Sequence, residues 1–201
     1  MSRKEYAIFL TEQEQEEASI RHKFLSEEEK LIFRMVYEEM QQVQKFVSYE
    51  KKEGEKRIVV ASLGKQIDEL QNQYMAQGEY LKAYGIDCLA MEILMKFYEM
   101  IKEEFRKTGY FIKEMLYPGE QVPIEQMKFL FQKTKPLEIS YNKQFLMEPK
   151  KSIAMIVVLT KEKQKACQTI CDGCKNKTCA ARRNRRESAK KTYGYQRIFT
   201  K

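Results

Sequence analysis

The sequence predicts an α+β fold, with helices first, then a small, mostly antiparallel sheet carrying one helix, and last a cysteine-rich basic tail. Three observations predict it. All four prolines lie between Pro118 and Pro149, so the first 117 residues contain none. Apolar residues in that leading stretch recur at helical spacing. Beyond it, Ile153-Ala-Met-Ile-Val-Val-Leu159 is a β-rich apolar run of strand length.

The elements follow in order. Ser26 with Glu29 forms a capping box, and Leu31, Ile32, Met35, Val36, Met40, Val43, Phe46 and Val47 continue one helical face from it. Lys51 to Arg57, with Gly54, reads as a polar turn. A second helix runs from about Leu63 to Gln77 and stops at Gly78. A third, from about Asp87 to Lys107, carries Leu89, Ile93, Phe97, Met100, Ile101 and Phe105, and Gly109 closes it. Tyr110 to Tyr117 has strand composition and Pro118-Gly119 is a turn. Pro123 to Gln132 reads as a short helix, Leu137 to Phe145 as a strand, and Ile153 to Leu159 as a central strand. Residues 1–165 are expected to form one domain and residues 166–201 an appendix to it.

The net charge of +8 sits at one end. Residues 175–201 hold ten Lys/Arg against Glu187 alone, which leaves the body close to neutral. Such asymmetry points to a local anionic partner or to a solvated tail, not to a protein-wide nucleic-acid surface. Arg182-Arg-Asn-Arg-Arg-Glu-Ser-Ala-Lys-Lys191 has the look of a zipper-type basic region, but no heptads follow it, so specific DNA binding by that route is excluded. No apolar run is long enough to span a membrane and the charged N-terminus has no signal-peptide core, so the expectation is a cytoplasmic protein without a membrane partner.

Four of the five cysteines, Cys167, Cys171, Cys174 and Cys179, fall within thirteen residues around Gly173. In a reducing compartment such a cluster reads as metal ligands or redox thiols before disulfides. Four thiolates suit tetrahedral zinc, or an iron–sulfur cluster, and the spacing does not separate the two. Dithiol chemistry by Cys171 and Cys174 is a third reading. Cys167-x-x-x-Cys171-x-x-Cys174 also has radical-enzyme spacing, but the residues after Cys174 are too few to build the barrel that such a motif opens. The single histidine, His22, lies among charges just ahead of the Ser26 cap and reads as exposed and idle.

The order of segments in the second half is informative. Gly85-Ile-Asp-Cys-Leu-Ala-Met-Glu92 leads an acidic helix, then come Gly109-Tyr110, a strand and Pro118-Gly119. Pro123-Ile-Glu125 opens a helix, and Tyr141-Asn142, Met147-Glu-Pro149-Lys-Lys-Ser152 and a strand precede Cys-x-x-Cys-x-x-x-x-Cys and Arg182. Over residues 85–182, with an echo at Arg3–Leu10, this resembles the vitamin B12-dependent methionine synthase activation domain, most of all its short free-standing bacterial forms. The resemblance implies an accessory or reactivation protein for a corrinoid-dependent methyltransferase in methionine biosynthesis. Its partner would carry the cobalamin, and S-adenosylmethionine would remethylate the reduced cobalt. Pro118, Gly119, Glu120, Pro149 and Ser152 would frame the S-adenosylmethionine site.

The sequence departs from that pattern at two positions. Where the family has an arginine three residues before Pro-Gly and a tyrosine after it, this chain has Met115 and Glu120. Methionine cannot clamp a carboxylate bidentately, and Glu120 repels one. A second reading therefore stands beside the first: a non-enzymatic interaction module with a structural zinc knuckle and a basic tail.

Overall fold

The computed structural model of the chain describes residues 1–163 and Ala166. Its centre is a five-stranded antiparallel sheet of β1 (Ser2–Tyr6), β2 (Phe46–Glu53), β3 (Lys56–Ser62), β7 (Ser152–Thr160) and β4 (Phe111–Leu116), in that spatial order. One face carries α1 (Glu12–Arg21), α2 (Glu27–Val43), α3 (Lys65–Ala76) and α4 (Tyr80–Lys107). The other carries α5 (Gln126–Thr134) and the two-residue ribbon of β5 (Ser140–Tyr141) and β6 (Met147–Glu148). The α+β class predicted from sequence is the class observed.

Strand alternation divides the core. Phe46, Val59, Ala61, Met155 and Val157 face the four-helix layer, whereas Val47, Tyr49, Ile58, Val60 and Ile156 face α5. Along α4, Leu89, Ile93, Phe97 and Ile101 recur at helical spacing and are buried. Phe97 meets Tyr6 and Phe46 at ring-centroid distances of 5.3 and 4.6 Å. This aromatic contact pins α4 across the β1–β2 half of the sheet.

Two of the four helices on this face start at capping boxes. Thr11 with Glu14 opens α1, and Ser26 with Glu29 opens α2 as the sequence predicts. Gly78 and Gly109, at φ +77 and +78, follow α3 and α4 at the expected places. Helix α4 starts at Tyr80, earlier than Asp87, and takes in Gly85, where a Cβ would make ordinary contact with Phe24 and Val36 at 3.7 Å.

Four expectations are corrected. The leading 117 residues are not all helical, since they supply β1, β2 and β3. Phe46 and Val47 continue the helical spacing of α2, but Gln44 has already turned to an extended conformation and Val47 and Tyr49 point to the opposite face from Phe46. The polar stretch Lys51–Arg57 is a hairpin tip whose strands run to Glu53 and resume at Lys56. Of Leu137–Phe145 only Ser140 and Tyr141 form a strand, and Phe145 sits at φ +62. The run Ile153–Leu159 is the interior strand foreseen, paired on both sides by β3 and β4.

Candidate functional site

The sheet register brings the family-type segments to one end of the sheet. Leu116 pairs with Ile156 and Ser62 pairs with Ser152. The turn after β4, the bend before β7 and the β3–α3 turn therefore emerge side by side. Tyr6 pairs with Phe46 and Val47 with Ser62, so the end of β1 and the start of β2 lie there too.

Pro118, Gly119 and Glu120 form the turn after β4. Gly119 is at φ +86, and its N–H donates to Val122 O at 2.8 Å while Glu120 N donates to Tyr117 O at 3.1 Å. A side chain at position 119 would be strained by that φ and would press on Ile124 Cδ1 at 3.3 Å, so glycine is required. Met115, where the family pattern has arginine, is half-buried against the main core, and its sulfur accepts the Tyr117 hydroxyl at 3.4 Å. Glu120 is exposed.

Pro149 follows a cis Glu148–Pro149 bond. Ser152 is buried, and its Oγ donates to Pro149 O at 2.6 Å, closing the bend on itself. Three further contacts anchor this bend. Lys150 N donates to Asp68 Oδ2 at 2.6 Å, Leu63 N donates to Lys151 O at 3.0 Å, and the Lys151 ammonium pairs with Asp87. Lys151, Asp68 and Asp87 are site-framing residues that sequence reading missed, because their partners lie 64 to 89 residues away in the chain.

Towards the β1 edge of this end lies a cleft of about 880 Å³, which none of Pro118, Gly119, Glu120, Pro149 and Ser152 lines. Lys45, Phe46, Ser62, Gly64, Lys65 and Gln66 line its inner part, with Arg3 and Glu138 at the sheet edge. Gly64 is at φ +95, and a Cβ there would approach Lys45 O at 3.2 Å, so only glycine lets the start of α3 come this close to the α2–β2 connection. It opens α3 with no side-chain cap, leaving backbone N–H groups at the cleft. Arg3 donates to Glu138 at 2.9 Å and to Tyr49 Oη at 3.3 Å. Its guanidinium is held above its ordinary value by hydrogen bonds to Glu5 and Glu138, against burial. The glycine between an apolar strand run and an amphipathic helix was the available sequence signal for this cleft.

One predicted residue is corrected outright. His22 is 3% exposed, not solvated, and its Nε2 lies 3.0 Å from Glu92 Oε1 at the α1–α4 contact. The cysteine cluster Cys167, Cys171, Cys174 and Cys179 lies outside the described residues. Among the described residues, no group of three or more His, Cys, Asp or Glu side chains is arranged to hold a metal ion. No described helix is long and apolar enough to cross a membrane.

No family model matches the chain. No curated protein matches it either. Among solved structures it is similar to the MetH reactivation domain bound to AdoHcy, with a TM-score of 0.52 and 10% sequence identity, over 78% of this chain and 77% of that one. At that identity the likeness is one of architecture alone: the chain has a fold similar to that of the reactivation domain.

Proposed function

We propose that this chain is an accessory protein of the reactivation type, which docks on the corrinoid-carrying part of a methyltransferase and engages an S-adenosyl ligand at the loop-bearing end of its sheet. The observation that carries the reading is the fold match to a domain bound to AdoHcy. The convergence of Pro118, Gly119 and Glu120 with Pro149 and Ser152 at one sheet end supports it. On this reading the chain's own work is placement: rigid loops hold a ligand in line with a reacting centre supplied by the partner. The cobalamin comes with that partner, and Cys167, Cys171, Cys174 and Cys179 carry a zinc or iron–sulfur centre.

The residues present fit an S-adenosyl ligand incompletely. The backbone turn and the docked bend are built, but Met115 offers no guanidinium to a ligand carboxylate and Glu120 opposes one. Loss of one charge-assisted contact of that kind removes about 1.5–3 kcal/mol of binding. Isothermal titration with AdoHcy is therefore expected to show weak saturable binding, and Met115→Arg should tighten it by about tenfold. If neither protein binds AdoHcy, the ligand half of this reading fails.

The same two positions favour a second reading, an interaction module without a small-molecule ligand. Anaerobic purification with iron, zinc and sulfide analysis separates the two. Stoichiometric iron and sulfide with absorption in the visible would make the cysteines an electron-carrying centre and support reactivation. One colourless zinc per chain would make them a structural clip.

A further inference from the structure

The cleft towards the β1 edge stands apart from the S-adenosyl frame, and its lining is that of a second ligand site. Its volume of about 880 Å³ falls in the range usual for small-molecule sites, about 300–1,000 Å³. Three connections meet at its inner part. The β1–α1 connection brings Ala7 and Phe9, the end of α2 brings Gln41, Gln44 and Lys45, and the start of α3 brings Gly64, Lys65 and Gln66. Lys45 N donates to Leu63 O at 3.1 Å, which fastens the second of these to the third.

Gln41 and Gln44 stand three residues apart and so share one face of α2. Gln44 Nε2 donates to Ile8 O at 3.4 Å, which fixes the sense of that amide and leaves Oε1 as the acceptor. Among the described residues, Gln44 Oε1 and Gln41 Nε2 are out of solvent and have no hydrogen-bond partner. Polar atoms buried without a partner cost free energy that a bound donor and acceptor would recover. Both side chains line the cleft, so a turn of the terminal amide brings each atom to its surface.

The charges at the cleft do not balance. Arg3 is matched by Glu5 at 2.5 Å and Glu138 at 2.9 Å. Lys45 is exposed and has no ion pair among the described residues, and Lys65 has only the exposed Glu69 of its own helix, at 3.4 Å. These two cations flank Gly64, where the twelve-residue helix α3 opens without a side-chain cap and its first N–H groups are left to an outside acceptor. Phe9 stands at the opening, 54% exposed, with no aromatic partner among the described residues.

We propose that this cleft binds a mononucleotide. Its phosphate lies between Lys45, Lys65 and the start of α3, the hydrogen-bonding edge of its base meets the Gln41 and Gln44 amides, and Phe9 stacks on the face of the base. The proposal does not rest on the S-adenosyl reading, because the two ligands differ in charge and use different residues.

The test titrates the full-length chain with AMP, followed by calorimetry and by amide shifts in NMR, with adenosine and inorganic phosphate as the two halves of the probe. AMP is expected to saturate, to move the amides of Lys45, Gly64, Lys65 and Gln66, and to bind at least about tenfold tighter than either half. Replacing Lys45→Ala and Lys65→Ala together alters two exposed side chains and should weaken AMP about tenfold while the thermal melt stays in place. Excess AdoHcy should not displace AMP. No saturation up to about 10 mM AMP overturns the proposal. So do shifts confined to residues 115–120 and 148–152, an affinity that the double variant leaves unchanged, phosphate binding as tightly as AMP, or displacement by AdoHcy. AMP binding in a chain that does not bind AdoHcy would uphold this site while the S-adenosyl reading fails.

Discussion

Glu92 shows how one residue sets the behaviour of a buried contact. Its carboxylate accepts from Arg21 and faces His22, with both acid and imidazole out of solvent. Taking its charge away leaves two cations without their counter-charge, so Glu92→Gln is expected to cost about 3 kcal/mol, read as a lowered denaturation midpoint at an unchanged slope. His22 adds a pH dependence. Burial opposes its charge, but hydrogen bonds to Cys88 and Glu92 outweigh burial and push its pKa up from 6.5 to about 9. The folded state thus binds the proton more tightly than the unfolded chain. The resulting stabilisation is complete below about pH 6.5 and is lost as the pH rises towards 9. Thermal melts from pH 6 to 9 should show a decline in wild type that is flattened in His22→Gln. An equal decline in both would assign the effect elsewhere. None of this was legible locally: His22 stands between Arg21 and Lys23 and before a charged helix start, and only the crossing of α1 with α4 buries it.

At the scale of elements, the bend from Glu148 to Ser152 depends on a helix far away in sequence. Asp68, in the first turn of α3, accepts the Lys150 N–H at 2.6 Å, while its other oxygen is buried without a hydrogen-bond partner. Asp68→Ala removes that anchor and should expose the Lys150–Lys151 peptides. Trypsin under native conditions is expected to cut there several-fold faster in the variant, with the cleavage point read by mass spectrometry. An unchanged rate would show that Ser152 and Lys151 hold the bend alone. The elements that periodicity revealed are those with a long one-sided pattern: α2, α3, α4 and the apolar β7. The β2–β3 hairpin was hidden because Phe46 and Val47 extend the spacing of α2, and because Glu50-Lys-Lys-Glu53 is a charged strand with no apolar alternation, half-buried except at Lys52. Its pairing is a tertiary fact, with β1 on one side and β7 beyond β3 on the other. Likewise the glycine–proline loops were visible in sequence, but their gathering at one sheet end required the strand order.

For the molecule as a whole, the two faces of the sheet are unequal. The four-helix side holds the larger cluster, with Phe33, Met40, Ile86, Leu89, Ile93 and Phe97 fully buried in it. The α5 side rests on a smaller set around Met127, Leu130 and Ile139. Local opening free energy follows buried apolar contact, so amides of α5 should exchange faster than those of α4 and of the interior strands β3 and β7. Native-state hydrogen exchange checks this, and equal protection on both faces would contradict it. The fold class and the loop frame were legible from the sequence because helix periodicity, proline placement and the order of short motifs all act along the chain. The cleft and the α1–α4 contact were not, since the cleft draws its walls from four separated segments and the contact joins residues about 70 to 80 positions apart.

Among the described residues, the strand order also leaves β1 and β4 with one side unpaired each. A free strand side is a template on which another chain can add itself. Both are short, and both are studded with charge: Arg3, Lys4 and Glu5 on one, Lys113 and Glu114 on the other. On β4 the register also slips between Ile112 and Glu114, which breaks the regular run of donors and acceptors. The sheet is thus guarded at both rims against self-templated growth, and replacing those charges with valine or threonine would turn a protected rim into an aggregation-prone one.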